Sequence, residues 1–418
     1  MIEGPPGRQR TARVARSTSK LVLTLLAVVM LAATGYGWRV YRDLNQGMTR
    51  TDVFGDDRVG GGDKPEAVPL DGAIDILLVG LDSRTDAQGN PLPESLLEKL
   101  HIGHADGKMN TDSIILVHIP QDGQSAVAFS FPRDAYVPIA GGYGKQRINN
   151  AYALAYNDTL ARLAGSQTLS RDEIERMAKT AGRRNLINTI EQFIGRSGMI
   201  DRYAEVNLGG FYHVTKALDG IKICLRNPVA EKNSGIDLPA GVQTINAVQA
   251  VAFVRQRYGL DGGGMGRVER QQAFLSGVAH KVLSAEMLLN PSRLSELISA
   301  VQKSVVLSEG WNLWEFAAQM RALSGDDIKF YTIPVEGNAM IGGASVLSVD
   351  RSQVRSFIDR LIDSRSASAD SSPAGGGAAD PAGPTTDSSN NSASPPTESN
   401  NPPPEADPIT AAGIPCVD

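Results

Sequence analysis

Two aspartates stand at the ends of predicted strands, where α/β folds commonly bind ligands. Asp82 lies in the string GLDSR, directly after the apolar run 74–81, and Asp112 lies in NTDS, directly before the next run. A hard divalent cation is typically held by one or two carboxylates together with phosphate oxygens and water. The pair therefore predicts a metal site for Mg²⁺, with Mn²⁺ as the second choice. The competing interpretation is that each aspartate caps a turn.

Arginines accumulate where the predicted elements begin or end. Arg84 follows Asp82 by two residues in GLDSR. Arg133 and Asp134 end the string SFPRD, and Arg147 begins RINNAY, just before a predicted helix. Guanidinium groups stay charged and bind phosphate oxygens in bidentate geometry, so a convergent set of them suits a pyrophosphate.

The densest group of polar residues flanks a glycine-rich loop at 262–266. Before the loop, Arg255 and Arg257 alternate with Gln256, so an extended backbone would put both guanidinium groups on one face. After the loop, three side chains share one face of a predicted helix, namely Arg267, Arg270 and Gln271. This arrangement favours a phosphate clamp, and the alternative is a solvated basic surface.

These residues require a sheet whose strand ends meet at one edge. Short runs rich in β-branched residues predict buried strands at 74–81, 113–119, 125–131 and 328–335. Helices are predicted at 151–164, 171–194, 208–217, 247–257, 267–289, 291–305, 313–323 and 351–362. Strands and helices mixed in one uninterrupted block favour an α/β sandwich, in which helices cover both faces of a sheet.

Overall composition excludes one class of partner. The chain has 418 residues, a charged fraction of 21%, a net charge of -5 and a pI near 5.7. Nucleic-acid binding needs a concentrated basic face, for which this balance gives no support. Any anion site must therefore be local.

The N-terminal residues carry a membrane signal. Segment 1–20 is basic, with a single acidic residue, and the run 21–38 contains no charged side chain. About 20 apolar residues cross a bilayer core as a helix, and a basic flank stays in the cytoplasm. The sequence therefore predicts a single-pass anchor in the cell membrane at 21–38, with the C-terminal domain extracytoplasmic. A cleaved signal peptide is the alternative.

Composition divides the rest of the chain into three parts. Residues 39–70 lack periodicity and predict an extracytoplasmic stem, and residues 71–363 form the predicted domain. Low-complexity sequence at 364–418 predicts a disordered tail, although 409–418 regains apolar residues that could dock back. The two cysteines, Cys224 and Cys416, either form a disulfide or are unrelated thiols.

Six separated strings together resemble a known family. GLDSR, NTDS, SFPRDAYV, RINNAYA, FVRQRYGL and GRVERQQ occur in the order and approximate spacing of the LytR-CpsA-Psr (LCP) family, over about residues 73–289 and more weakly to 362. The resemblance implies an α-β-α sandwich with a central mixed sheet. It also implies a hydrophobic pocket for a polyprenyl chain and a polar mouth where Mg²⁺ and arginines hold a pyrophosphate.

The resemblance assigns roles to the motif residues. Asp82 and Asp112 look like the metal-associated carboxylates, and Asp112 or Asp134 is a candidate general base, although Asp134 could instead orient Arg133. The expected catalytic residues are Asp82, Asp112, Arg133, Asp134, Arg255 and Arg257. The expected pyrophosphate-binding residues are Arg84, Arg133, Arg147, Arg255, Arg257, Arg267 and Gln271.

Three departures from the family's pattern concern substrate detail. Segment 85–109 is longer than the link in short members, which predicts an inserted lid or partner loop. Gly264 stands where members often carry an acid, a loss that Asp261 could offset. Arg147 stands where many members have Lys, which keeps the charge but changes the donor geometry.

The expected function is transfer of a glycopolymer from a polyprenyl-pyrophosphate carrier to a peptidoglycan acceptor, with Mg²⁺ assistance and release of polyprenyl phosphate. The acceptor implied by family analogy is the C6 hydroxyl of N-acetylmuramic acid. Two alternatives use the same residues: a polyprenyl-pyrophosphate pyrophosphatase, and a non-catalytic module that anchors or senses wall polymers. The presence of both Asp82 and Asp112 favours the transferase.

Overall fold

The computed structural model describes residues 47–55, 72–103, 107, 109–123, 125–260, 263–288, 290–312, 316, 327–369, 408–410 and 413–418. The predicted basic segment 1–20 and anchor 21–38 lie outside these residues, as do Asp261 and all but one residue of the predicted helix 313–323. No helix within the described ranges is long and apolar enough to span a membrane.

The described strands are mostly short. They are β1 (Thr49–Thr51), β2 (Ile74–Leu81), β3 (Thr111–Ile119), β4 (Ala126–Ser130), β5 (Tyr136–Pro138), β6 (Lys145–Arg147), β7 (Arg202–Asn207), β8 (Ile221–Leu225), β9 (Val229–Glu231), β10 (Ile236–Leu238), β11 (Gly241–Ile245), β12 (Val305–Ser308), β13 (Ile328–Thr332), β14 (Gly337–Ile341), β15 (Ala344–Ser348), β16 (Ile409–Thr410) and β17 (Cys416–Val417).

The described helices cover both faces of the main sheet or support its edges. They are α1 (Glu94–Lys99), α2 (Asn150–Leu163), α3 (Arg171–Ile194), α4 (Leu208–Ala217), α5 (Ala247–Arg255), α6 (Gly264–Val282), α7 (Ala285–Leu288), α8 (Pro291–Ser304) and α9 (Arg351–Ala369). Helix α3 begins at a capping box formed by Ser170 and Glu173, and it ends at Gly195 with φ of 75°.

An eight-stranded mixed sheet forms the centre, in the order β1-β12-β7-β2-β3-β4-β13-β16. Strands β2 and β7 run parallel, as do β4 and β13, while β3 runs antiparallel to both β2 and β4. The carboxyl ends of β2, β4, β7 and β13 therefore meet at one edge, together with the start of β3. The predicted α/β fold with a central mixed sheet is confirmed.

Both faces of this sheet are buried. On one face, Leu116 and Phe129 belong to a core shared with Leu186 of α3 and Phe357 of α9. On the other face, alternate residues such as Ile115 pack in a cluster that includes Leu275 of α6. Strands covered on both sides lose the apolar-polar alternation, which explains why they read as continuous apolar runs in the sequence.

Two boundaries differ from the predicted ones. Strand β1 lies inside the predicted stem 39–70, yet it pairs with β12 at the edge of the central sheet. Inside the predicted tail 364–418, α9 continues to Ala369, and β16 and β17 pair with β13 and β8. Strands of two or three residues carry no readable period, so only their pairing partners define them. Cys224 and Cys416 form a disulfide beside the β8–β17 pairing.

Candidate functional site

A β-bulge places the two aspartates at the same edge of the sheet. Gly80 pairs with Ser113 and Leu81 pairs with Thr111, so Asp112 is an extra residue on β3 without a partner on β2. Bulges commonly redirect one side chain next to an active site. A Cβ at Gly80 would lie 3.0 Å from the Cβ of Ser113, so the close approach of the two strands favours glycine there. Asp82 follows directly after Leu81.

Backbone hydrogen bonds connect the separated motifs behind the bulge. The amide of Asp82 donates to the carbonyl oxygen of Asn110 at 2.9 Å. The amide of Thr111 donates to the carbonyl of Asn149 at 3.4 Å. The amide of Asn149 in turn donates to the carbonyl of Arg133 at 3.2 Å. Four strings that are distant in the sequence thus form one continuous framework.

Asp112 is paired with arginines through both carboxylate oxygens. Nη1 of Arg133 donates to Oδ1, and Nη2 of Arg257 lies 3.8 Å from Oδ2. Burial acts to lower the pKa of Arg133, but the charges of Asp112 and Asp134 outweigh it and the pKa is raised. The Nη1 atom of Arg84 lies 3.0 Å from Oδ1 of Asp82, so each aspartate faces at least one guanidinium group.

Asp134 lies within reach of three arginines. Its Oδ1 is 3.5 Å from Nε of Arg133 and 3.6 Å from Nη1 of Arg147, while its Oδ2 is 3.8 Å from Nη2 of Arg267. The carbonyl of Asp134 also accepts a hydrogen bond from the amide of Leu347 at 2.8 Å. The Asp134 carboxylate is therefore the point at which guanidinium groups from β6, α6 and the segment after β4 converge.

Two of the arginines are held as cations against an electrostatic cost. Burial lowers the pKa of Arg267 to about 10, and the neighbouring charge of Arg133 adds to this effect. Burial also lowers the pKa of Arg255, although Asp82 partly opposes it. The Nη1 atom of Arg255 is buried and makes no hydrogen bond within the described residues. An anion at this point would satisfy that donor and relieve the repulsion.

The arginines border an open cleft of about 330 Å³. One wall comes from the motif residues, and the other comes from the hairpin β14–β15. The lining residues are Arg133, Asp134, Arg147, Arg257, Gly263, Gly264, Met265, Arg267, Asn338, Ser345, Val346 and Leu347.

The charge balance at the cleft is positive. Six guanidinium groups lie in or next to the cleft with three carboxylates, which leaves a local charge of about +3 at neutral pH. The chain as a whole carries -5, so this group is opposite in sign to the net charge. A pyrophosphate diester or monoester carries two or three negative charges and matches this balance.

The two carboxylates fit a divalent cation in the company of a phosphate group. The described residues contain no group of three His, Cys, Asp or Glu side chains that could hold a metal ion. Mg²⁺ often takes only one or two carboxylates and completes its shell with substrate phosphates and water. Asp82 and Asp112 lie at the ends of neighbouring strands and meet that requirement. A carboxylate oxygen that faces an arginine would then contact both the guanidinium group and the metal.

The segment around Gln256 differs from the predicted geometry. Arg255 is the last residue of α5, and only the following Gln256 is extended, with φ of -53° and ψ of 135°. Gln256 is fully buried, while Arg257 is exposed. Both arginines still face the aspartates, because the helix end and one extended residue together turn them to the same side.

The predicted helix face at 267–271 is divided. Arg267 faces Asp134, whereas Arg270 contacts Gln256 and Asp418, away from the cleft. Gln271 is half-buried and is not among the residues that line the cleft. Sequence reasoning missed its neighbour Gln272, whose Nε2 donates to Ser130 Oγ at 2.9 Å and to Thr332 Oγ1 at 3.0 Å. Nothing in the sequence separates these adjacent glutamines, because the pairing depends on how α6 lies across the sheet.

The insertion at 85–109 has its own small core. Leu92, Leu97 and Leu100 are buried in a cluster with Tyr212 of α4 and Val251 of α5. The predicted lid or partner loop is thus packed on helices that lead to the site. Its described residues do not line the cleft.

Comparisons with known proteins agree with this fold. Residues 50–363 match the LytR_cpsA_psr family. Cell wall biosynthesis protein LcpA of Corynebacterium glutamicum is 39% identical over 362 residues, which is 86% of this chain and 68% of LcpA. The polyisoprenyl-teichoic acid–peptidoglycan teichoic acid transferase TagU of Enterococcus faecalis is 25% identical over 287 residues, 68% of this chain and 77% of TagU.

A solved structure shares the architecture. The crystal structure of TagV from B. subtilis superimposes with a TM-score of 0.50 and 20% identity, covering 70% of this chain and 97% of TagV. At that identity the likeness concerns the fold alone. The family match spans most of the domain, from β1 into α9, and includes every motif at the sheet edge. The chain therefore belongs to the LytR_cpsA_psr family.

Proposed function

We propose that this protein transfers a glycopolymer from a polyprenyl-pyrophosphate carrier to peptidoglycan. The observation that carries the proposal is the group of six arginines and three aspartates in and next to the cleft, with its surplus of positive charge. The names of relatives support the substrate class, since TagU is named as a transferase of teichoic acid from a polyisoprenyl carrier to peptidoglycan. LcpA is named as a cell wall biosynthesis protein.

The proposed reaction is an in-line displacement at phosphorus. A sugar hydroxyl of peptidoglycan attacks the phosphorus that carries the polymer, a new oxygen–phosphorus bond forms, and the bond to the second phosphate breaks. Polyprenyl phosphate leaves, and the hydroxyl proton passes to a base or to solvent. Such transfer depends on positioning and charge neutralisation. Arg267 is buried, and Arg133 and Arg255 are half-buried, so their attraction for phosphate oxygens is stronger than it would be in open solvent.

The geometry around the aspartates supports different roles for them. Asp134 is surrounded by three guanidinium groups and would orient the clamp. Asp82 and Asp112 would hold Mg²⁺ or Mn²⁺ together with substrate phosphates. When bound, the metal would neutralise charge on the phosphate oxygens.

A reconstituted transfer assay tests the function. Purified full-length protein is given a polyprenyl-pyrophosphate-linked oligosaccharide, Mg²⁺ and either a peptidoglycan fragment or buffer alone. The expected result is a polymer–peptidoglycan phosphodiester together with an equal amount of polyprenyl phosphate. Polyprenyl phosphate formed at the same rate without acceptor would identify a pyrophosphatase. Tight binding without turnover in the presence of acceptor would identify an anchoring module.

The proposed location is the outer face of the cell membrane, with residues 21–38 as the anchor. Two observations support it: the basic segment 1–20 before an uncharged run, and the Cys224–Cys416 disulfide, which is typical of oxidising compartments. An epitope before Met1 and another within 370–407 should lie on opposite sides of the membrane. Protease added to intact spheroplasts should remove only the second epitope, and protection of both would contradict this topology.

A further inference from the structure

Arg270 is a buried cation that takes no part in the phosphate-site contacts. It lies on α6 one turn after Arg267, and only 2% of its surface is exposed. Its Nη1 donates to Oε1 of Gln256, and its Nε donates to the backbone oxygen of Asp418 at 2.5 Å. Its guanidinium carbon lies 5.0 Å from the ring centroid of Phe253 on α5. Arg270 therefore joins α6, the end of α5 and the C-terminal residues.

Gln256 connects Arg270 to the clamp. It stands between Arg255 and Arg257, and its side chain is fully buried. Its Oε1 accepts from Arg270, while its Nε2 donates to the carbonyl of Tyr258 at 2.8 Å. Gln256 is the C-cap residue between Arg255, which ends α5, and Arg257, and both of these arginines face the aspartates. A Gln256 side chain that is held in place therefore holds the backbone positions from which the two arginine side chains extend.

The C-terminal segment, meaning the described residues 408–410 and 413–418, holds Arg270 from the other side. Strand β17 pairs with β8 and carries Val417, which is buried in the core around α5 and α6. The disulfide to Cys224 attaches this strand covalently. Farther back, Ser276 of α6 donates to the carbonyl of Thr410 at 3.0 Å. The segment is therefore packed along the helix that carries Arg270.

We propose that Arg270 is a positioning residue of the arginine clamp, and that the docked C-terminal segment keeps it against Gln256. This inference rests on the proposed function of the cleft as a pyrophosphate site. Loss of Arg270 would leave a buried oxygen of Gln256 and a partly buried oxygen of Asp418 without this donor, and the Gln256 side chain would then rearrange. Arg255 and Arg257 would lose the alignment that lets them bind one anion together.

The test uses the full-length chain and inorganic pyrophosphate as the probe, with the dissociation constant measured by calorimetry. Arg270→Met, which keeps a long side chain over Phe253, should weaken binding by about tenfold, as expected for lost alignment of a charged donor. Arg270→Lys should recover part of the loss. The matched control is Arg226→Met, because Arg226 also contacts Asp418 but is exposed and does not reach Gln256. It should bind pyrophosphate like the wild type.

A double variant separates positioning from general support of the fold. If Arg270 acts through Gln256, then Arg270→Met combined with Gln256→Met should bind no more weakly than the weaker single variant. Additive losses, or wild-type affinity in Arg270→Met, would overturn the inference.

Reduction of the disulfide in the wild type gives a measurement that needs no substitution. Affinity should fall on reduction and return on reoxidation, and an unchanged affinity would also overturn the inference. A wild-type protein that binds no pyrophosphate would refute the proposed function itself, and this inference with it.

Discussion

Replacing both Asp82 and Asp112 with alanine is expected to reduce polymer transfer by at least about 10³-fold, the loss typical of removing transition-state charge stabilisation in phosphoryl transfer. The bulge presents Asp112 beside Asp82 at the sheet edge, so the pair would supply the protein's share of the proposed metal shell. Each single substitution should already remove most activity. Chelation of divalent cations should produce the same loss in the wild type.

The carboxylate variants should retain the carrier lipid. The prenyl chain of the proposed carrier would bind through apolar contacts, which do not depend on these two carboxylates. Transfer and polyprenyl-pyrophosphate binding are therefore measured in the same preparations, with and without Mg²⁺. Asp237→Ala serves as the control, because Asp237 is an exposed aspartate on β10 away from the cleft. Wild-type transfer by the double variant would refute a two-carboxylate metal site.

Removal of Arg255 or Arg257 is the second large effect. Each substitution to alanine should lower transfer by roughly 10- to 100-fold, since a hydrogen bond from a charged donor to phosphate contributes about 1.5 to 3 kcal/mol. The Arg255 variant should be the more impaired, because its buried Nη1 has no other partner in the described residues, whereas half of the Arg257 side chain is exposed. Initial rates at saturating and limiting substrate provide the comparison.

Lysine substitutions and a surface control distinguish geometry from charge. Arg255→Lys keeps the positive charge but loses the bidentate donor pair, so it should recover only part of the activity. Arg226→Ala removes an exposed arginine far from the cleft and should transfer at the wild-type rate. Equal activity in Arg255→Ala and Arg226→Ala would favour the alternative interpretation, in which Arg255 belongs to a solvated basic surface.

The sequence predicted elements well where their limits are local. The bounds 171–194 of α3 and 208–217 of α4 match the structure, because a capping box or an Asn cap marks each start. The β2 bounds 74–81 also match, since a run rich in apolar residues ends at the charged residues Asp82 and Arg84. Such signals depend on a few neighbouring residues and can be read without the fold.

The sequence predicted long-range features poorly. Nothing near Thr49 reveals that β1 will pair with β12, which lies more than 250 residues later. The bulge that isolates Asp112 depends on the register between two strands, and the second wall of the cleft comes from the hairpin β14–β15, which no motif marked. The spacing of the motifs predicted most of the residues that converge at the site. The different partners of Arg267 and Arg270 could not be predicted, because they depend on where the C-terminal segment lies.

The docked C-terminal segment changes what the low-complexity sequence can reach. The described chain stops at Ala369 of α9 and resumes at residue 408 before β16, so 38 residues separate two ends that both belong to the domain. At about 3.5 Å per residue, the contour is roughly 130 Å, and no point on it can lie farther than about half that length from the two attachment points. A tail fixed at one end could extend twice as far. Two attached ends therefore halve the distance from the domain that the same number of residues could span from a single attached end.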